Sequence, residues 1–319
     1  MPAAVLALLG AFVYGSADFL GGLAARRLRS IVVTCVAALA GLVVLGVMYP
    51  FVEERWTVAD VAWGALSGVF GVVAIGLLYA CLAIGPMSIL SPLTAVVSAI
   101  APMVWGLTIG GEELSPIGYA GLGIALVAVV LVGFIPGQGV VRPSLRGVVM
   151  AIGSGLAIGA FLIAMDQTHP ESGVVPLLVN RATNGLITAI IVVLLVRRGR
   201  GRGQRGMAAA LAAQGTVLGA TPTGRADLEH AGTAPPPVTA IPRSAWGLAL
   251  ACGVVDAIAN VMMFVALRLG DLSIVSALTA MYPAGTIVLA ALVLRERIAV
   301  VQGLGLALAL TAGAMLAVA

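Results

Sequence analysis

LYACLAIGPMSILSPLTAVVSAIAPMVWGLTIGGEELSPIGYAGLGIAL, residues 78–126, returns in altered form as MFVALRLGDLSIVSALTAMYPAGTIVLAALVLRERIAVVQGLGLALAL, residues 263–310. At an offset of 185 the two copies share Leu82/Leu267, Gly85/Gly270, Ser88/Ser273, Ile89/Ile274, Ser91/Ser276, Leu93/Leu278, Thr94/Thr279 and Ala95/Ala280. A one-residue gap then brings Glu112/Glu296, Gly121/Gly305, Leu122/Leu306, Ala125/Ala309 and Leu126/Leu310 into line at an offset of 184. Matched alanines and leucines say little in so apolar a chain. Matched glycines, serines, a threonine and a glutamate say more, and they read as an internal duplication.

Composition places that duplication in a bilayer. Apolar residues make up 61% of the chain and charged ones 9%, with a mean hydropathy of +1.13, outside the range of soluble domains. Apolar runs of roughly 20 residues recur, each long enough as a helix to cross about 30 Å of hydrocarbon. Backbone groups in lipid must pair within their own segment, so these runs are read as helices. They lack the alternation of barrel strands. The expected fold is an all-α membrane protein with ten transmembrane helices, at about 4–25, 31–51, 60–84, 87–109, 115–135, 147–168, 174–196, 244–268, 271–294 and 298–318. The first run is a retained helix rather than a signal peptide, because Arg26, Arg27 and Arg29 follow it and Asp18 lies inside it. Gly85-Pro86 and Gly270-Asp271 are joints short enough to force tight helical hairpins.

Segment 197–243 is the polar exception. It opens with RRGRGRGQRG and ends in the prolines of Ala234–Pro237, a composition that predicts a disordered linker. Its Met207–Ala220 stretch is too short to span and is a candidate surface helix. All basic residues are arginine, and fourteen of the seventeen fall on one side when the N-terminus lies outside. The positive-inside bias then puts both termini outside and the 197–243 loop in the cytoplasm.

Five spans per copy is an odd number, so the copies enter the membrane upside down relative to each other. The expected organisation is a first repeat over 1–136 and a second over 137–319, the latter interrupted by the polar loop. Inverted five-helix repeats point to a secondary transporter, because two packings exchanged between the halves open a central cavity to alternate sides.

The second copy carries Pro283, Glu296, Gln302 and Gly305, a pattern that resembles the end of an EamA-type repeat of the drug/metabolite transporter superfamily. The first copy matches through Gly111-Glu112, Leu114-Ser115-Pro116 and Gly121, but has Ser98 where Pro283 stands and Pro102 four residues on, which predicts a displaced kink. The resemblance covers both repeats and implies a transporter or exporter of amino acids, other metabolites or drugs, in the bacterial cytoplasmic (inner) membrane.

Polar residues at membrane depth are the candidate substrate-binding set, since burying them unpaired is costly. Asp256 sits near the middle of the eighth span, one turn before Asn260 on the same face, and its counterpart in the first copy is Gly71. It is read as an amine or proton site, or else as a neutral acid held in a helix contact. Asp18 in YGSADF is either a cavity residue or a partner of Arg26 or Arg29. Asn180, Arg181 and Asn184 cluster in the seventh span. There Arg181 anchors a substrate carboxylate, pairs with Asp256, or reaches out to the surface. Ser91, Thr94, Ser276 and Thr279 are equivalent hydroxyls that either line the cavity or bond back to their own helix. Tyr14, Tyr79, Trp105 and Tyr282 offer aromatic faces to a ligand, with an interfacial belt as the alternative for Trp105. Glu112 and Glu296, at span ends, are read as caps or braces. Gly64, Gly68 and Gly71, and Gly118, Gly121 and Gly123, are small-residue rows for close helix approach.

Other chemistries find no support in the residues. Without lysine there is no phosphate loop ending in Gly-Lys, and neither HExxH nor a Gly-x-Ser-x-Gly elbow occurs. Three cysteines within spans predict neither disulfide nor metal, and no cofactor is implied. The arginine run is an orientation signal rather than a nucleic-acid site. The sequence therefore predicts a non-enzymatic secondary transporter, probed first as an exporter, of small polar or amphipathic metabolites such as amino acids. Its partners would be the substrate, the bilayer and a proton or other coupling ion. An intramembrane lipid-handling enzyme or flippase, and a non-transporting sensor, are the alternatives.

Overall fold

A computed structural model describes residues 2–52, 55–84, 87–133, 144–201, 211–212, 241–294 and 299–318, apart from the side chains of Tyr79, 82–84, 87–89, Ser91 and 199–201. The described chain is helical: α1 (Pro2–Ala25), α2 (Ser30–Met48), α3 (Val58–Ile84), α4 (Met87–Thr108), α5 (Pro116–Gly133), α6 (Leu145–Asp166), α7 (Val175–Gly201), α8 (Arg243–Leu269), α9 (Leu272–Thr279), α10 (Tyr282–Val293) and α11 (Val300–Val318). Among the described residues nine stretches are long and apolar enough to cross a membrane, with Leu272–Val293 taken as one, and Pro92–Thr108 is a shorter apolar helix.

The ninth expected span is two helices. Pro283 lacks a backbone N–H and its ring crowds the carbonyl four residues back, that of Thr279, which is where α9 ends. Short bonds across the joint, Ala280 N–H to Ser276 O at 3.0 Å and Met281 N–H to Leu278 O at 3.1 Å, keep the backbone paired. The α4 counterpart has Ser98 at the equivalent place and runs unbroken through Pro92 and Pro102. The Ser98 hydroxyl donates to Ala95 O at 2.8 Å.

Helices α1 and α8 pack together, as do α3 and α6, α5 and α11, α4 and α6, α3 and α7, α2 and α7, α1 and α10, α2 and α8, and α4 and α9. Glycine sets the closest of these approaches. A Cβ on Gly64 would lie 2.6 Å from Pro176 O, and one on Gly68 2.7 Å from Asn180 O, so α3 meets α7 backbone to backbone. Gly121 packs on Leu316 of α11, whereas Gly123 faces open space. The outer helix faces are apolar: Val43, Val47, Leu186 and Leu292 are among many large side chains left exposed. A soluble protein hides such residues; a bilayer covers them. Cys35, Cys81 and Cys252 are buried in these helices.

Turns are secured by polar side chains. Ser144 accepts from Gly147 N at 3.1 Å and caps α6. Asp60 caps α3 by accepting from Thr57 N and Oγ1, both at 2.7 Å, and also accepts from His169 N at 2.6 Å. Arg268 lies over the Phe264 ring, 4.5 Å from its centroid, and donates to the Thr168 carbonyl and hydroxyl. Of segment 197–243, Leu211 and Ala212 lie under the turn between α1 and α2, where Arg29 N–H donates to Leu211 O at 2.9 Å. The rest of the Met207–Ala220 stretch, the Gly85-Pro86 joint and Glu296 lie outside the described residues.

Glu112 is a cap, and it acts across the structure. Its two carboxylate oxygens accept from Leu272 N at 2.7 Å and Ser273 N at 3.0 Å, the first free N–H groups of α9. Asp271, in the N-cap position, makes no side-chain cap of its own. Gly111 turns the chain into this position with φ +70°, and Gly106 leaves the space that the carboxylate fills.

Candidate functional site

A cavity of about 260 Å³ lies at the middle depth of the helices, between α1, α3, α6, α7, α8 and the α9–α10 break. Its two sides differ. Ala74, Ile75 and Leu78 of α3 and Ile158, Phe161 and Leu162 of α6 form an apolar wall. Opposite stand Tyr14 and Asp18 of α1, Asn180, Arg181 and Asn184 of α7, and Asp256 and Asn260 of α8, with Thr279 and Tyr282 at the helix break.

The polar side is built from helical spacing. Asn180 and Asn184 are one turn apart, as are Tyr14 and Asp18, and Asp256 and Asn260, so each pair shares a face. Arg181 Nη2 and Asp256 Oδ2 form an ion pair at 2.5 Å, with side chains 11% and 22% exposed. The Asn260 amide donates to Asp256 O at 2.7 Å and to Oδ1 at 3.2 Å, holding the carboxylate from its own helix. Asn180 donates to Ser67 Oγ at 2.8 Å, and Ser67 in turn to Gly64 O at 2.7 Å, which ties α7 to α3 beside the cavity.

Not every polar atom there is satisfied by the protein. Among the described residues Arg181 Nε, Asn184 Oδ1 and Thr279 Oγ1 are buried without a hydrogen-bond partner, although buried polar atoms are nearly always paired in native structures. Asp18 lines the cavity and makes no hydrogen bond or ion pair among the described residues. Its electrostatic neighbour is Asp256. The charged side of the cavity thus holds two carboxylates and one guanidinium.

Of the sequence candidates, Tyr14, Asp18, Asn180, Arg181, Asn184, Asp256, Asn260, Thr279 and Tyr282 come together around this space. Arg181 takes the alternative of pairing with Asp256, and Asp18 that of a cavity position. Ser276 and Trp105 are not in the lining. The Ser276 hydroxyl is fully buried and bonds back to Ser273 O at 3.1 Å, and Trp105 packs against the apolar core. Thr94 does as Ser276 does, donating to Leu90 O at 3.0 Å and Ala151 O at 3.2 Å. The Tyr79 and Ser91 side chains lie outside the described residues. The apolar wall escaped sequence reasoning. Its positions 74, 75 and 78, and 158, 161 and 162, do follow helical spacing, but so do most apolar positions in this chain.

Apolar outer faces around a polar interior space define an integral membrane protein of the polytopic helical class. The family model of the EamA-like transporter family matches residues 1–134 and 232–318. The chain belongs to the EamA-like transporter family. Among curated proteins none matches the chain. A solved structure described as "Crystal structure of protein" superposes with a TM-score of 0.63 at 15% identity, over 99% of this chain and 98% of that one, and shares the fold.

Proposed function

We propose that the protein is a secondary transporter that exports small polar or amphipathic metabolites, such as amino acids, across the bacterial cytoplasmic membrane by alternating access. The mid-depth cavity with its charged side carries this reading, because ionisable groups at that depth are costly unless they serve cargo or ions. Its size suits a cargo of metabolite dimensions.

Alternating access needs two halves, here residues 1–136 and 137–319, in inverted orientation. The helix pairings support that symmetry. Exchanging each span for the one five places along turns α1–α8 into α6–α3, α2–α8 into α7–α3, and α1–α10 into α6–α4. It returns α2–α7, α4–α9 and α5–α11 to themselves. The arginine bias favours both termini outside and the 197–243 loop in the cytoplasm.

The test is flux. Purified protein in liposomes, preloaded with a metabolite panel, is expected to release a subset of it faster than empty liposomes do. Absence of flux for the whole panel, in either direction and with or without a pH gradient, refutes the reading. Scrambling of labelled lipid by the same vesicles would move the assignment to a lipid-handling protein.

A further inference from the structure

The charged side of the cavity does not balance, and the imbalance has a sign. Arg181 is committed to Asp256, and Asn260 holds that carboxylate from a second direction. Asp18 is left over. Among the described residues no cation reaches it: α2, α9, α10 and α11 contain no charged residue, α8 presents Asp256 and Cys252, and α10 presents Tyr282. Tyr14 stands one turn away on α1 itself. With both carboxylates ionised the cavity carries one net negative charge in a poorly solvated place.

Beside Arg181 Nε, a donor on the guanidinium that Asp256 already engages, two further unpartnered atoms add a second observation. Asn184 Oδ1, on a side chain 5% exposed, can only accept a hydrogen bond. The Thr279 hydroxyl can accept or donate, and it too lacks a partner. A protonated amine is all donor and no acceptor, and it cancels one negative charge. The α3–α6 wall, with Phe161 and Leu78, takes an apolar body.

Resting on the transporter reading above, we propose that the cargo is a small monocationic amine with an apolar body, and that Asp18 is the carboxylate that receives its ammonium. The Arg181–Asp256 pair stays closed and positions the site.

The test measures binding before flux. The full chain in detergent or nanodiscs is titrated calorimetrically with primary amines from propylamine to phenethylamine, and with the matching alcohols and carboxylates. One or more amines should bind, and the matching alcohol and carboxylate should bind about 30-fold or more weakly. Asp18→Asn should lose a similar factor for the amine, and Asp18→Glu should recover part of it. Amine affinity of the unmodified protein should fall as pH is lowered, while Asp18→Asn gives a flat profile. The proposal is overturned if no amine in the series binds, if alcohol or carboxylate binds as well as the amine, or if Asp18→Asn keeps amine affinity within about 3-fold. Liposome counterflow with the bound amine separates the two levels. Binding that depends on Asp18 without counterflow retains the cargo class and removes the transporter reading. Flux of a neutral or anionic compound without amine binding does the reverse.

Discussion

Replacing Arg181 by Gln would leave Asp256 with a charge and no counter-charge. The two side chains meet at 2.5 Å and are 11% and 22% exposed, so water screens the pair only in part. Breaking a fully buried pair from one side costs about 3–5 kcal/mol, because the remaining ion is uncompensated. The residual exposure and the Asn260 amide, 3.2 Å from Asp256 Oδ1, soften that. We therefore expect about 2–4 kcal/mol for Arg181→Gln and about the same for Asp256→Asn. The double variant removes both charges and should cost far less than the sum, giving a coupling of about 2 kcal/mol or more. Reversible unfolding in mixed micelles of increasing SDS fraction, followed by circular dichroism and tryptophan fluorescence, measures all four corners of the cycle. A coupling below about 0.5 kcal/mol, the level of independent sites, would refute the pairing and with it the charge imbalance assigned to Asp18.

Other perturbations probe the frame around the site. Glu112→Ala removes two charge-assisted bonds to the start of α9 and should destabilise by about 1–3 kcal/mol in the same unfolding assay, with Glu112→Gln about half as costly. Equal stability of all three proteins would count against the cap. Gly64→Ala places a methyl 2.6 Å from Pro176 O and should cost about 1–3 kcal/mol, whereas Gly123→Ala, with nothing within 4 Å, should be neutral or stabilising. Phe161→Ala enlarges the apolar wall and should move cargo preference toward bulkier bodies in competition binding, without changing the preference for one charge type. A change of charge preference would contradict the division of labour between the two cavity sides.

The helices were legible because, apart from the two pieces of the ninth span, each is an apolar run of membrane length, and α1 through α8 end within a few residues of the expected limits, α7 being extended by its arginine-bearing C-terminal turns. The break in the ninth span was not foreseen as a break, although Pro283 stood in plain view; a proline kinks some helices and divides others, and only the packing decides. Asp18, Arg181 and Asp256 stood out because charge is rare in this chain. Which of them would pair did not, since three side chains on three helices have no fixed distance until the helices are docked. Trp105 and Ser276 lie outside the cavity lining for the complementary reason: a hydroxyl or indole inside an apolar helix is satisfied by the backbone or by packing on any face.

The cavity's two walls also bear on how such a protein changes over time. On the proposed reading charge recognition falls to α1, α7 and α8, where the Arg181–Asp256 pair, held also by Asn260, makes single exchanges costly at once. Shape recognition on that reading falls to α3 and α6, whose aliphatic and aromatic side chains answer to volume alone. If the cargo is held in this way, lineages can drift from one carbon skeleton to another by small steps along Ile75, Leu78, Ile158, Phe161 and Leu162 while the ionic side is inherited intact.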